Sequence, residues 1–133
     1  GRFEEVKPQL LPVETFVPAP AQGAVCIEVR EDDGCTRKLI LPLHHDRTAL
    51  AVAAERSLLS RLEGGCQLPL GAYARMEDEK NTRLSAVLCT PDGSMVLRAE
   101  SVGLSDDPDG LALAVETRLR DLGAGEILKR CRM

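Results

Sequence analysis

The chain has 133 residues, a formal net charge of −4, 44 % hydrophobic residues and 2 % aromatics. That length supports one domain with its own core and is short for two. The hydrophobic share excludes a disordered chain, the acidic balance without any run of Lys or Arg disfavours nucleic-acid binding, and no stretch nears the ~20 apolar residues of a membrane span. Phe3, Phe16 and Tyr73 are the whole aromatic set, so the core has to be built from Leu, Val, Ile and Ala. Cysteines stand at 26, 35, 66, 89 and 131, an odd number, widely spaced and without a CxxC pair. That argues against a zinc ribbon or a dithiol redox motif and for free thiols in a reducing, cytoplasmic setting. The chain opens on Gly1 and its first ten residues are polar and charged, so the sequence reads as a processed or cut piece without a secretory signal.

Pro8, Pro12, Pro18 and Pro20 make the first twenty residues an extended or looped segment, because proline fixes φ and removes a donor. In Gly23–Arg30, Val25, Ile27 and Val29 alternate with Cys26, Glu28 and Arg30, the period of a strand. Glu31–Gly34 breaks it. Thr36–Leu41 has the length of a short helix that Pro42 ends or kinks. The clearest helix is Asp46–Leu62, with Leu50, Ala54, Leu58 and Leu62 every four residues and Ala51, Glu55 and Leu59 beside them. Asp46 or Thr48 is expected to cap its start, and Gly64–Gly65 to close it. Three strands follow, Leu70–Met76, Arg83–Thr90 and Met95–Val102, joined by the polar stretch Asp78–Asn81 and by the hairpin signal Pro91-Asp92-Gly93. Asp106–Gly110 starts a second amphipathic helix marked by Leu111, Val115, Leu119 and Leu122 and closed by Gly123, and Glu126–Arg130 is a last helical run. The expected class is α+β: a three-stranded antiparallel sheet with helices packed on one face, the cheapest way to bury those stripes.

Cys66 follows the glycine pair at the C-terminal end of the long helix. A free cysteine is commonly a small buried apolar residue, but a glycine loop offers little packing and lets a bulky group approach. The helix C-terminus disfavours a thiolate, so a self-activated nucleophile is poorly supported. A thiol captured once by a strong electrophile, and holding it thereafter, fits better. His44-His45-Asp46 suggests a metal or a base, yet adjacent residues seldom face one site and no HxxxH partner exists, so a helix-entry turn is the preferred reading and no metal site is expected. Glu31-Asp32-Asp33 reads as a solvated turn. Glu55 and Glu63, eight residues apart, are not neighbours on the helix surface. Gln22-Gly23 alone says little, and no Ser–His–Asp order stands out.

Three stretches together carry more. PAPAQGAVCIEVR (Pro18 to Arg30), HHDRTALAVAAERSLLSRLEGGCQLPLGAYA (His44 to Ala74) and TPDGSMVLRAE (Thr90 to Glu100) resemble the porphobilinogen deaminase (hydroxymethylbilane synthase) family, the middle one most specifically through Ala54-Glu55-Arg56, Leu62 to Gln67, Pro69 and Gly71. The resemblance runs from about Pro18 to Arg130 and is to the C-terminal portion of a three-domain enzyme more than twice as long. It implies that residues 1–30 are a hinge or linker plus a strand belonging to absent N-terminal domains, an orphan here, and that residues 31–133 are the domain that anchors the cofactor.

The family joins four porphobilinogen molecules with loss of ammonia into hydroxymethylbilane, in haem biosynthesis. It primes the reaction on a dipyrromethane held by a thioether to the cysteine of LEGGC. By resemblance that residue is Cys66, with Gln22 and Gly23 at the cofactor. Many members have glycine where this chain has Ala21. Deamination gives an electrophilic azafulvene, so the sulfur has to act only once. The growing polypyrrole is rich in carboxylates and needs arginines, and the reaction needs a carboxylate at the pyrrole N–H. In the family both come from the first two domains. The resemblance thus implies that this chain carries no catalytic residues of its own, is inactive alone and lacks the cofactor alone. The alternative is a non-catalytic α+β module that binds a partner or self-associates through Gly23–Arg30, since an unpaired edge recruits strands. A thiol-dependent hydrolase is a distant third, with no base placed for it.

Overall fold

The computed structural model describes residues 7–62 and 68–131. The element order is α1 (Gly34–Ile40), a 3-10 turn (Leu41–Leu43), α2 (Asp46–Arg61), β1 (Leu70–Met76), β2 (Asn81–Cys89), β3 (Val96–Leu104), α3 (Pro108–Asp121) and α4 (Ala124–Cys131). The three strands form an antiparallel meander in the order β1-β2-β3, with Leu70 opposite Leu88 and Asn81 opposite Leu104. The expected α+β arrangement is present, with α2 and α3 packed side by side on one face of the sheet.

Period-two alternation decides which face is covered. Leu70, Ala72 and Ala74 of β1 and Leu84, Ala86 and Leu88 of β2 point inward. They meet Ala54, Leu58 and Leu62 of α2, Leu111, Ala112, Val115 and Leu119 of α3, and Ala124, Ile127 and Leu128 of α4. Each fully buried Leu or Val contributes roughly 1.5–3 kcal/mol by leaving water. Leu122, expected on the α3 stripe, is instead 53 % exposed. It is the C-cap of α3, where the helix has stopped and α4 turns in to fill the core.

The turns extend the sheet beyond the expected strand ends. Asp78 Oδ1 accepts from Lys80 N and Asn81 N, both at 2.8 Å, so β2 starts at Asn81 and β3 runs on to Leu104. The buried hydroxyls of Thr82 and Ser105 satisfy each other at 2.8 Å. In the other hairpin Gly93 has φ +71° and its N–H donates to Thr90 O at 2.9 Å, a backbone state that glycine adopts without steric cost.

Helix starts are set by side-chain acceptors. Asp107 caps α3 by accepting from Gly110 N at 2.9 Å, and Asp33 caps α1 by accepting from Thr36 N at 3.0 Å. The start of α2 differs from expectation: the N-cap is His45, whose Nδ1 accepts from Thr48 N at 3.3 Å. Asp46 is the first helical residue, exposed, with His44 Nε2 3.3 Å from its carboxylate. The Gly64–Gly65 cap expected at the other end lies outside the described residues.

The opposite face of the sheet is partly covered by residues 13–18, which no periodicity had marked. Val17 O lies where a side chain on Gly71 would have to be: an added Cβ would meet it at 2.6 Å. Arg98 Nη2 donates to Thr15 O at 3.1 Å, and Arg75 pairs with Glu14 at 3.5 Å.

The strand pattern of Gly23–Arg30 does not become a strand. Residues 24–30 join no ladder, and Val25 is 92 % exposed. Alternation alone supplies no partner, and the outer edge of β1 is already used: Ala72 N donates to Pro18 O at 2.8 Å and Ala74 N to Glu55 Oε1 at 2.8 Å. With α1 and the 3-10 turn, this segment instead frames an open hollow of about 620 Å3 lined by Val25, Ile27, Val29, Leu41 and Leu43.

Candidate functional site

Of the expected site residues, Gln22 and Gly23 are described and Cys66 lies outside the described residues. Gln22 sits in a tight turn, residues 19–23. Its N–H donates to Ala19 O at 3.0 Å, and its side-chain Oε1 accepts from Ala19 N at 3.1 Å. The amide carbonyl is thus spent on holding the turn, and the NH2 group of this exposed residue donates no hydrogen bond among the described residues. Gly23 has φ +83°, with open space where a Cβ would stand, so the chain reversal requires it and crowding does not. Ala21 also lies in the left-handed region, at φ +61°.

The turn is tied to the sheet domain by the carboxylate of the Ala54-Glu55-Arg56 stretch. Glu55, on the inward side of α2, is 6 % exposed. Its Oε2 accepts from Ala21 N at 2.6 Å and its Oε1 from Ala74 N at 2.8 Å. One carboxylate therefore bridges three elements: α2, β1 and the turn. Burial raises its pKa above the ordinary glutamate value, and the N–H bonds from Ala74 and Ala21 pull the other way. The signal was present in the sequence. Glu55 stands beside the stripe Leu50, Ala54, Leu58 and Leu62, and a charge on an apolar face must find partners or be costly.

Between the turn, α2 and β1 lies a cleft of about 390 Å3, with Gln22, Arg47, Thr48, Glu55, Tyr73 and Arg75 on its walls. Arg75 is engaged by Glu14 and Glu77. Arg47 forms no ion pair among the described residues. The cleft thus offers an aromatic ring, a free amide donor and a guanidinium, a set suited to a flat ligand bearing carboxylates.

The other candidates do not assemble. His45 is spent on capping, and no group of three or more His, Cys, Asp or Glu side chains gathers among the described residues. Asp32 pairs with Arg30 at 3.0 Å in an exposed turn. Cys26 and Cys35 are exposed, Cys89 and Cys131 half-buried, and all four are free thiols. No described helix is long and apolar enough to cross a membrane.

Residues 49–121 match the family described as porphobilinogen deaminase, C-terminal domain. The chain is 44 % identical over 132 residues to a porphobilinogen deaminase of Pelotomaculum thermopropionicum, covering 99 % of this chain and 42 % of that protein. It is 44 % identical over 122 residues to one of Desulforudis audaxviator, covering 92 % of this chain and 39 % of that protein. The chain thus spans about two-fifths of the length of these curated relatives. The match covers α2 from Ala49 onward, the whole sheet and α3, so the chain belongs to the porphobilinogen deaminase family and carries its C-terminal domain.

Proposed function

We propose that this chain is the C-terminal part of a hydroxymethylbilane synthase, a transferase that joins porphobilinogen units with loss of ammonia in the cytoplasm. The observation that carries the reading is the 44 % identity sustained over nearly the whole chain. In this reading residues 1–30 belong with N-terminal domains that bind porphobilinogen and the growing polypyrrole, and residues 31–133 anchor the primer. Cys66 is the anchor. Its sulfur would hold the primer through a thioether to a pyrrole methylene, and the ammonia lost from that carbon would carry off the thiol proton. Gln22 and Gly23 stand beside the primer. The chemistry of the cleft supports a fit to a dipyrromethane: Tyr73 offers a flat apolar surface, Gln22 an amide donor and Arg47 a cation for an acetate or propionate group. When bound, that group supplies the pyrrole end to which the first substrate is joined.

Intact mass of the full-length protein tests the anchor. The expected result is a two-pyrrole adduct that disappears in Cys66→Ser, and an adduct retained by Cys66→Ser overturns the assignment. The 133-residue chain alone is expected to turn over no porphobilinogen, because the arginines and the carboxylate the reaction requires are assigned to the other domains. Measurable turnover by the purified chain would refute that division of labour.

A further inference from the structure

Two independent observations converge on the 19–23 turn. Ala21 is the one described non-glycine residue with a left-handed backbone, φ +61°. An alanine there is disfavoured by contact between its Cβ and the backbone, and it persists only where surrounding structure imposes it. The Ala21 N–H is also the group that Glu55 Oε2 accepts from, at 2.6 Å, while the other oxygen of the same carboxylate is fixed by Ala74 N of β1. A carboxylate held at one oxygen by a buried strand amide presents its second oxygen at a fixed point in space. An N–H aimed at that point dictates the orientation of the 20–21 peptide.

We infer that Glu55 is a positioning residue: it clamps the 19–23 turn to the outer edge of β1, holds Ala21 in its left-handed state, and thereby fixes where the Gln22 amide is presented. That the amide is presented to a primer rests on the proposed function. The clamp itself rests only on the geometry. Gln22 acts on this account as the group at the cleft, and Glu55 acts through it. The same carboxylate closes a stretch of sheet edge at Ala74 N.

The test uses the full-length protein and Glu55→Gln, which keeps the side chain's shape. Glutamine can accept from one of the two amides and turns its NH2 toward the other. The Ala74 site is buried and the Ala21 site only partly so, and the mismatch is therefore expected to resolve at the turn. Hydrogen exchange at Ala21 should speed up by roughly ten- to a hundredfold, as a lost bond to a charged acceptor implies. Leu84 and Val115 amides, in the core, should keep their protection. With porphobilinogen as substrate, kcat should fall severalfold with little change in KM, because the group displaced faces the primer and not the incoming monomer. Adding Ala21→Gly should restore much of the lost kcat, since glycine takes a positive φ without a clamp. Unchanged Ala21 exchange in Glu55→Gln overturns the inference, and so does protection lost equally at Leu84 and Val115, which would make Glu55 a mere core residue. The exchange arm is independent of turnover: a wild-type protein without a dipyrrole on Cys66 would overturn the proposed function, while Ala21 exchange would still decide the clamp.

Discussion

Residues 23–43 and residues 68–104 have comparable apolar patterning and opposite outcomes. The second stretch alternates into strands whose inner residues, Leu84 and Leu88 among them, are fully buried. The first carries Val25, Ile27, Val29, Leu39, Leu41 and Leu43, yet α1 buries none of its residues and Leu39 and Leu43 are 79 % and 71 % exposed. The difference lies in what faces each pattern. The sheet alternates against two helices that supply a complementary stripe. The 23–43 segment alternates against nothing, because the nearest sheet edge is closed by Pro18 O and Glu55. Periodicity states which face wants burial, and a partner decides whether burial happens. Within the proposed function that partner belongs to the N-terminal domains.

The sharpest way to break this comparison is to make the same truncation in both regions. Leu84→Ala, in the centre of the core, should cost about 2–5 kcal/mol in urea unfolding. Leu39→Ala should stay within about 0.5 kcal/mol, as for a surface site. Similar losses at both positions would mean that the 23–43 segment is packed in solution.

How much of this was legible follows from the same contrast. The α2 and α3 stripes and the three strands could be read because their partners lie within the chain, and local pattern and global packing then agree. Three features escaped for three physical reasons. The capping role of His45 depends on an unprotonated Nδ1 acting as acceptor, which the residue type alone does not declare. The cover of the second sheet face by residues 13–18 depends on backbone groups, Val17 O and Thr15 O, that carry no side-chain signal. Glu55 shows in the sequence as a charge beside an apolar stripe, but its partners are amides 34 residues before it and 19 after it, beyond the reach of local pattern. The candidate residues Gln22 and Cys66 stand in recognisable motifs, whereas the bridge from Glu55 to Ala21 and Ala74 does not show in the sequence.

The covered face of the sheet can be opened by one atom. In Gly71→Ala the new Cβ would stand 2.6 Å from Val17 O, which is backbone and has no rotamer to escape into. The segment has to lift or the strand has to bend, at a cost of about 1–3 kcal/mol. Faster exchange of the Ala72 amide, which donates to Pro18 O, is the expected local sign. An unchanged unfolding midpoint together with unchanged Ala72 exchange would show that this segment does not rest on the sheet.

A smaller effect compares two caps of like chemistry. Asp107 and Asp33 each accept from the backbone N–H three residues on, at 2.9 Å and 3.0 Å. Removing a capping acceptor costs a helix about 1 kcal/mol. Asp107→Ala should show that loss in global unfolding, because α3 places Leu111, Val115 and Leu119 in the core. Asp33→Ala should fray α1 and leave the global midpoint unmoved, since α1 contributes nothing buried. Equal costs would tie α1 to the core after all.

The smallest effect separates an exposed acid from a buried one by the sign of their titrations. Asp92, on the hairpin between β2 and β3, is held down to about 2, first by the Thr90 hydroxyl and then by the N–H and hydroxyl of Ser94. Its folded pKa is below the ordinary 3.8, so its contribution to stability is complete above that value and is lost as pH falls through about 2. Glu55 runs the other way. Burial lifts it above 4.5, so its contribution is complete below that value and is lost as pH rises through the raised pKa. A carboxyl NMR titration should therefore find Asp92 ionised and Glu55 more than half protonated at the pH where an ordinary glutamate is half titrated. The Ser94 amide, which donates to Asp92 Oδ1 at 3.1 Å, should shift with the Asp92 midpoint. Glu55 titrating below 4.5 would mean that the two N–H bonds outweigh burial. The clamp on Ala21 would then be held by a carboxylate that favours its charge, and acidification would release the turn before it touched the core.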